Sequence, residues 1–265
     1  MIFNKIHGLE YCPYIRTEET IFDLLERDRD QISDDYELIN LPLAHMINRI
    51  GIRATNKIIG EVKSKVRRVF VCQHIHVPHL NFKPNDIVFS PHASTSNRYI
   101  SIPHYAVSQD KDLISDNKEI PFSFIGSTTT HTTRKRIVEL YDTCYDSGKH
   151  WGLETNDPEF RKKYIETLGN SIFSLCPRGT GISSVRTFES MAMCSFPVFI
   201  ADGYEPPMKD VVDWGRMSVS IPENSVDKIK TILVNTKLEH DYMSETYEKY
   251  FSNENLHRTI INELG

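Results

Sequence analysis

The chain of 265 residues is 39% hydrophobic and 25% charged, values of a globular protein long enough for two domains of ordinary size. Its formal net charge of −5 excludes a nucleic-acid binder held by phosphate electrostatics. No apolar run approaches the ~20 residues of a membrane span, and the opening MIFNKIHGLEY has no signal-peptide core, so a cytoplasmic protein without a span is expected.

From the N-terminus, Thr17 to Arg29 sets Ile21, Phe22, Leu24 and Leu25 among charges and predicts a surface helix. Arg53 to Val66 predicts a second, weakened by Gly60. Val69–Cys72 and Asp86–Phe89 read as short buried strands, and Tyr99–Tyr105 as an extended stretch broken by Pro103. Residues 1–108 thus form an N-terminal α/β domain, and the polar stretch 109–120 a linker. Beyond it, strands are predicted at 122–126, 172–176, 196–200 and 217–221, with another near 150–153. Helices are predicted at Thr133–Asp146, Pro158–Leu168, Ser184–Cys194 and Ser225–Val234. Strands alternating with helices predict a mainly parallel sheet covered on both faces, over 121–238. The tail 239–265 is helical in character and rich in charge and tyrosine. Five cysteines without C-x-x-C spacing suit a reduced protein, and Cys72, Cys176 and Cys194 lie in or beside apolar runs.

The most informative stretch is Ser171 to Asp202, SIFSLCPRGTGISSVRTFESMAMCSFPVFIAD. An apolar strand ends at Pro177, a loop Arg178-Gly179-Thr180-Gly181 follows, a helix starts at Ser183 or Ser184, and a second strand closes the unit. Strand, glycine loop, helix and strand is the arrangement that places a phosphate at a helix N-terminus. Arg186 and Glu189 lie three apart and share a helix face. A cation there suits a diphosphate, and a carboxylate one turn on suits ribose hydroxyls. An ordinary βαβ crossover with a surface ion pair gives the same pattern, and Ser183 or Ser184 serves equally as a helix cap.

These residues resemble the exostosin-type glycosyltransferases, glycosyltransferase family 47. The matching elements are Cys176-Pro177-Arg178-Gly179, Ser184-Val185-Arg186-Thr187-Phe188-Glu189 and Pro197-Val198. Phe122-Ser123-Phe124-Ile125-Gly126 with Arg134 and Arg136, and Pro206-Pro207 with Asp213-Trp214 and Ser218–Ile221, are similar to flanking elements of that family. The resemblance implies a GT-B fold: two Rossmann-like α/β domains facing a cleft, with the C-terminal helix returning to the first. It implies an inverting transfer of a sugar such as xylose, galactose or glucuronic acid from a UDP-sugar to a glycan or glycoprotein-glycan acceptor, without a metal or other cofactor. Gly126, Ser127, Arg134, Arg178, Gly179, Ser183, Ser184, Arg186 and Glu189 are then the donor-binding residues, Arg178 and Arg186 on the diphosphate and Glu189 on the ribose. Many members carry an N-terminal membrane anchor, whereas this chain reads as cytoplasmic.

An inverting transfer needs a general base, expected from the N-terminal domain. His74 is the leading candidate because Val69–His74 reads as a strand ending at the cleft and is similar to a family segment with a histidine there. The family's following Asp is Ile75 here, and His76, His79, His92 and Asp86 stand as alternatives. Two rivals accompany this reading. His74, His76 and His79 have spacing that suits zinc in a metal-dependent hydrolase, although Pro78 interrupts them and no carboxylate is near. A catalytically silent nucleotide-sugar-binding module would retain the same arginine and glutamate. Asp110-Lys111-Asp112 resembles the Asp-x-Asp metal motif of GT-A transferases, but no apolar strand precedes it and a solvated loop is expected.

Overall fold

The computed structural model describes residues 16–148 and 157–265, which divide into two compact α/β units. The first takes the described residues to Tyr105, together with Gly203–Met208 and Asn253–Gly265; the second takes Ala106–Asp202 and Lys209–Ser252.

In the first unit, helix α1 (Arg16–Arg27) buries Ile21, Phe22 and Leu25 and keeps Arg27 in its last turn, where a cation complements the helix dipole. Strands β1 (Tyr36–Leu38), β2 (Arg67–Val71), β3 (Ile87–Ser90) and β4 (Ile100–Ser101) form a parallel sheet in that order. Parallel neighbours need a crossover, and α2 (Leu43–Glu61) makes the one between β1 and β2. Side chains alternate across a strand, so β2 feeds two cores. Val69 and Val71 join Ile21, Leu25 and Phe89 on one face, while Phe70 and its neighbour Cys72 join Met46, Ile59 and Val88 on the other. The expected C-terminal helix (Arg258–Leu264) also belongs here, with Leu256, Ile260 and Leu264 packed into the first of these cores.

Two details differ from expectation. The second helical stretch begins at Leu43 rather than Arg53, and Gly51, at φ 79°, divides it into two segments. A glycine adopts that conformation without steric cost, and the apolar period breaks across it. The short edge strand β1 also carries too few residues for a clear period.

The second unit contains β5 (Ile120–Gly126), α3 (Thr132–Leu140), β6 (Cys144–Asp146), α4 (Pro158–Gly169), β7 (Ser171–Pro177), α5 (Arg186–Ala192), β8 (Phe196–Ile200), β9 (Val219–Ser220), α6 (Ile229–Val234) and α7 (His240–Thr246). Asp157 caps α4 by accepting the Phe160 N–H at 3.1 Å, with Pro158 at the first helical position. The α3 pattern stops at Leu140, six residues before its expected end, and β6 follows as an unforeseen strand. The strand expected near 150–153 lies outside the described residues. The tail divides into α7, a wide turn over Tyr247–Phe251, and the final helix already described. The stretch 109–120 is less detached than its polarity suggests: Leu113 and Ile114 pack beside Tyr164, Ile165 and Leu168 of α4.

The strand order is β6-β5-β7-β8-β9, all parallel. The chain leaves β5 for β6 on one side, then crosses back to β7 on the other. That reversal is the topological switch point of a doubly wound sheet, and ligands bind in the crevice outside the carboxyl ends of its two strands. Here those ends are Gly126-Ser127 and Pro177-Arg178. The expected α/β class is therefore present, with one parallel sheet in each unit, and the second is doubly wound.

Glu18 of α1 is fully buried, with its carboxyl accepting the Ala44 N–H at 3.1 Å and the Gln73 N–H at 2.9 Å. Burial pushes its pKa from 4.5 up to about 8, against those hydrogen bonds. The folded state therefore holds a proton that the unfolded state has released, and stability should be lost as pH rises from about 4.5 to about 8. Urea denaturation of Glu18→Gln should lack that slope, which is at most about 1.4 kcal/mol per pH unit. An equal slope in both proteins would place the titration elsewhere.

Candidate active site

Arg134 joins the two loops at the switch point. Its guanidinium donates to Ser127 O (3.3 Å), Pro177 O (3.1 Å) and Arg178 O (2.9 Å), and lies over the Phe124 ring. One planar cation thus spans the ends of β5 and β7. Gly179 makes room for it, since a Cβ there would sit 3.1 Å from Arg134 Nη2. Ser127 is buried, with its hydroxyl 2.9 Å from that of Thr129. Arg136 stays on the surface, 3.7 Å from Asp227.

Arg186 turns inward. It is buried, donates to Ile125 O, and stacks on the rings of Phe124 (4.5 Å) and Tyr164 (5.5 Å). Gly126 permits this approach: a Cβ at that position would meet Arg186 Nη2 at 2.8 Å and the Phe124 ring at 3.1 Å. Glu189 is buried as well, and both its oxygens are engaged, one by the Ser108 N–H (2.9 Å) and one by the Tyr164 hydroxyl (2.7 Å). Burial raises its pKa, opposed first by the Tyr164 hydrogen bond. These two side chains, expected on a diphosphate and a ribose, are thus both enclosed and engaged within the fold. The helix begins at Arg186, so its N-cap position is Val185 and not Ser183 or Ser184. Ser184 contributes its carbonyl to the Thr187 N–H, and Ser183 is buried.

Arg178 remains at the rim. Its side chain is 28% exposed, donates to Gly179 O, and lies 4.0 Å from Glu223. Arg178 and Arg134 are half-buried, whereas Arg186 is buried.

In the first unit the carboxyl edge carries histidines. His74 follows β2, and its ring is used on both sides: Nδ1 accepts the His76 N–H at 3.0 Å, so Nε2 carries the proton toward Asn48 Oδ1 at 3.0 Å. Desolvation, reinforced by His76, lowers its pKa to about 4. A lone pair already taken and a weakened basicity speak against the leading role expected of His74. Asp86 is removed from candidacy by position. It precedes β3, at the opposite edge of the sheet, and its carboxylate is locked to Arg68 at 2.9 and 2.5 Å. Arg68 also donates to Ile59 O and Val62 O, which caps the end of α2. His92, after β3, is buried with Nε2 3.1 Å from Gln73 O and its ring edge-on to His104. His76 is exposed, and its ring nitrogens make no hydrogen bond among the described residues. The rings of His74, His76 and His79 are neighbours at 5.1 and 5.6 Å. Among the described residues no three His, Cys, Asp or Glu side chains are gathered to hold a metal ion, and no helix is long and apolar enough to cross a membrane. Tyr164, Ser108 and Phe124 were not foreseen as parts of the site, because aromatic and small polar residues in elements distant in sequence carry no local pattern.

Comparison with known proteins places these elements. A family model of the Exostosin GT47 domain matches residues 50–236. A probable glycosyltransferase of Arabidopsis thaliana is 34% identical over 32% of this chain and 18% of its own length. Exostosin-1b of Danio rerio is 29% identical over 52% of this chain and 21% of its own. An Exostosin-1 homolog of Caenorhabditis elegans is 33% identical over 59% of this chain and 50% of its own. The chain thus spans at most half the length of these curated relatives.

The buried hydrogen bonds of Glu189 give a direct expectation. Glu189→Gln turns an amide N–H₂ toward one of its two donors and should destabilise the ligand-free protein by about 1–3 kcal/mol. Chemical denaturation measures this. Unchanged stability would mean that Glu189 is oriented toward solvent instead.

Proposed function

Because the chain belongs to the exostosin GT47 family, we propose that it is a glycosyltransferase whose second unit holds a nucleotide-sugar donor at the crevice between β5 and β7. The carrying observation is the pair of loops fixed by Arg134 at the switch point, with Gly179 packed against its guanidinium and Arg178 at its rim. In this reading Arg178 is the diphosphate cation, while Arg134 and Arg186 shape the loops that receive it. The donor is a UDP-sugar and the acceptor a hydroxyl of a saccharide or glycan.

The transfer proceeds with inversion. A base takes the acceptor proton, the freed oxygen attacks the anomeric carbon, and the bond to the diphosphate breaks. Charge develops on the leaving diphosphate, where a fixed cation lowers the barrier more than it stabilises the ground state. No metal is required if Arg178 and loop N–H groups supply that charge. The base belongs to the loop after β2, and His76 is our choice because its ring nitrogens are open to an acceptor.

A hydrolysis screen over UDP- and GDP-sugars, with and without EDTA, tests the reading: turnover of at least one UDP-sugar should survive chelation. Arg178→Ala should weaken UDP binding by about tenfold, and His76→Ala should lower turnover by roughly 10²- to 10⁴-fold with UDP affinity unchanged. Activity abolished by EDTA and restored by zinc would favour a metal-dependent hydrolase. UDP binding without turnover on any acceptor would favour a silent binding module.

A further inference from the structure

One buried carboxyl of the first unit holds the loop that carries the proposed base. Glu18 lies in the first turn of α1 and is fully buried. Its Oε1 accepts two N–H groups, that of Gln73 at 2.9 Å and that of Ala44 at 3.1 Å. In return the Glu18 N–H donates to Gln73 Oε1 at 3.2 Å. Helix α1 is thereby tied twice to the residue that opens the loop after β2. The Ala44 bond serves a second element. Pro42, at the N-cap of α2, has no side-chain oxygen for the first N–H groups, and Glu18 supplies one from another helix.

Both ties lead to His76. Gln73 precedes His74, whose Nδ1 accepts the His76 N–H at 3.0 Å and whose Nε2–H donates to Asn48 Oδ1 at 3.0 Å. Asn48 stands in the segment of α2 before Gly51, the segment whose start Glu18 caps. The His74 ring is therefore bracketed by two groups that Glu18 fixes, its own backbone neighbour and Asn48. Gln73 is held from a third side as well, since His92 Nε2–H donates to its carbonyl at 3.1 Å. At the end of this chain of bonds the His76 side chain stands exposed.

We propose that the Glu18–Gln73 pair sets the place of His76 for the transfer, with Glu18 a positioning residue that touches neither substrate nor reacting atoms. The inference rests on the base proposed above and adds to it the device that holds that base. Reach, not charge, is what the geometry requires. Both N–H groups meet the same oxygen, so a glutamine keeps them with its carbonyl, whereas an aspartate is one methylene too short.

The test measures turnover of the UDP-sugar and affinity for UDP in Glu18→Asp, Glu18→Gln and Gln73→Ala, each alone and combined with His76→Ala. A misplaced base costs rate and not donor binding, so Glu18→Asp should lower turnover by about 10- to 100-fold with UDP affinity within about twofold. Glu18→Gln should restore turnover to within about threefold of wild type, because the shared acceptor returns. In the His76→Ala background Glu18→Asp should cost no further turnover, since the group it displaces is already gone. Wild-type turnover in Glu18→Asp overturns the inference, as do losses that multiply with His76→Ala or a fall in UDP affinity that matches the fall in turnover. If Glu18→Asp does not fold, Gln73→Ala decides, because it removes only the return bond from a half-buried position. Lower turnover at unchanged UDP affinity supports the inference there, and unchanged turnover overturns it. Unchanged turnover in His76→Ala overturns the base itself and this inference with it. A wild type that turns over no nucleotide sugar overturns the proposed function, whereas an active wild type with an impaired His76→Ala and an unimpaired Glu18→Asp overturns the role of Glu18 alone.

Discussion

Two parallel strands that lie side by side but send their chains to opposite sides leave a gap at their carboxyl ends, and that gap organises the second unit. The two loops leaving β5 and β7 diverge there, each with carbonyls that would otherwise face only water. Arg134 answers this with one guanidinium bonded to three of those carbonyls. A lysine would not substitute, because a single ammonium lacks the planar fork that reaches both loops at once. Gly126 and Gly179 follow from the same constraint. Each stands where a side chain would press on an arginine, Gly126 on Arg186 and Gly179 on Arg134.

Burial then sorts the charged residues into two kinds. Arg186, Glu189, Arg68, Asp86 and Glu18 are enclosed and engaged by carbonyls, N–H groups, rings or each other. Enclosed charges of this sort fix a geometry more than they add stability, since desolvation offsets much of their attraction. Arg178, Glu223 and His131 sit at the edge with spare hydrogen-bonding capacity. Chemistry that depends on a ligand arriving belongs to the second kind, and the first kind holds the edge in shape for it.

Much of this was legible in the sequence. Strands β5, β7 and β8 are apolar runs bounded by polar residues, and the loop Arg178–Gly181 between a strand and a helix marks the crevice. The family match over residues 50–236 agrees with the motifs around Cys176, Arg186 and Glu189. Direction was not legible. Spacing places Arg186 and Glu189 on one helix face but does not say that this face points inward, onto Phe124, Tyr164 and Ser108. Those partners come from β5, α4 and the chain before β5, and only the fold brings them together. His74 illustrates the same limit: a histidine after a strand was visible, but the capture of its ring by Asn48 and the His76 N–H was not.

The central claim is that the donor sits at the ends of β5 and β7. Photocrosslinking with 5-azido-UDP, followed by mass spectrometry of the modified peptides, addresses it most directly. Labelling concentrated in 126–134 and 177–186, and suppressed by excess UDP, is the predicted result. Suppressible labelling confined to residues of the first unit would contradict it.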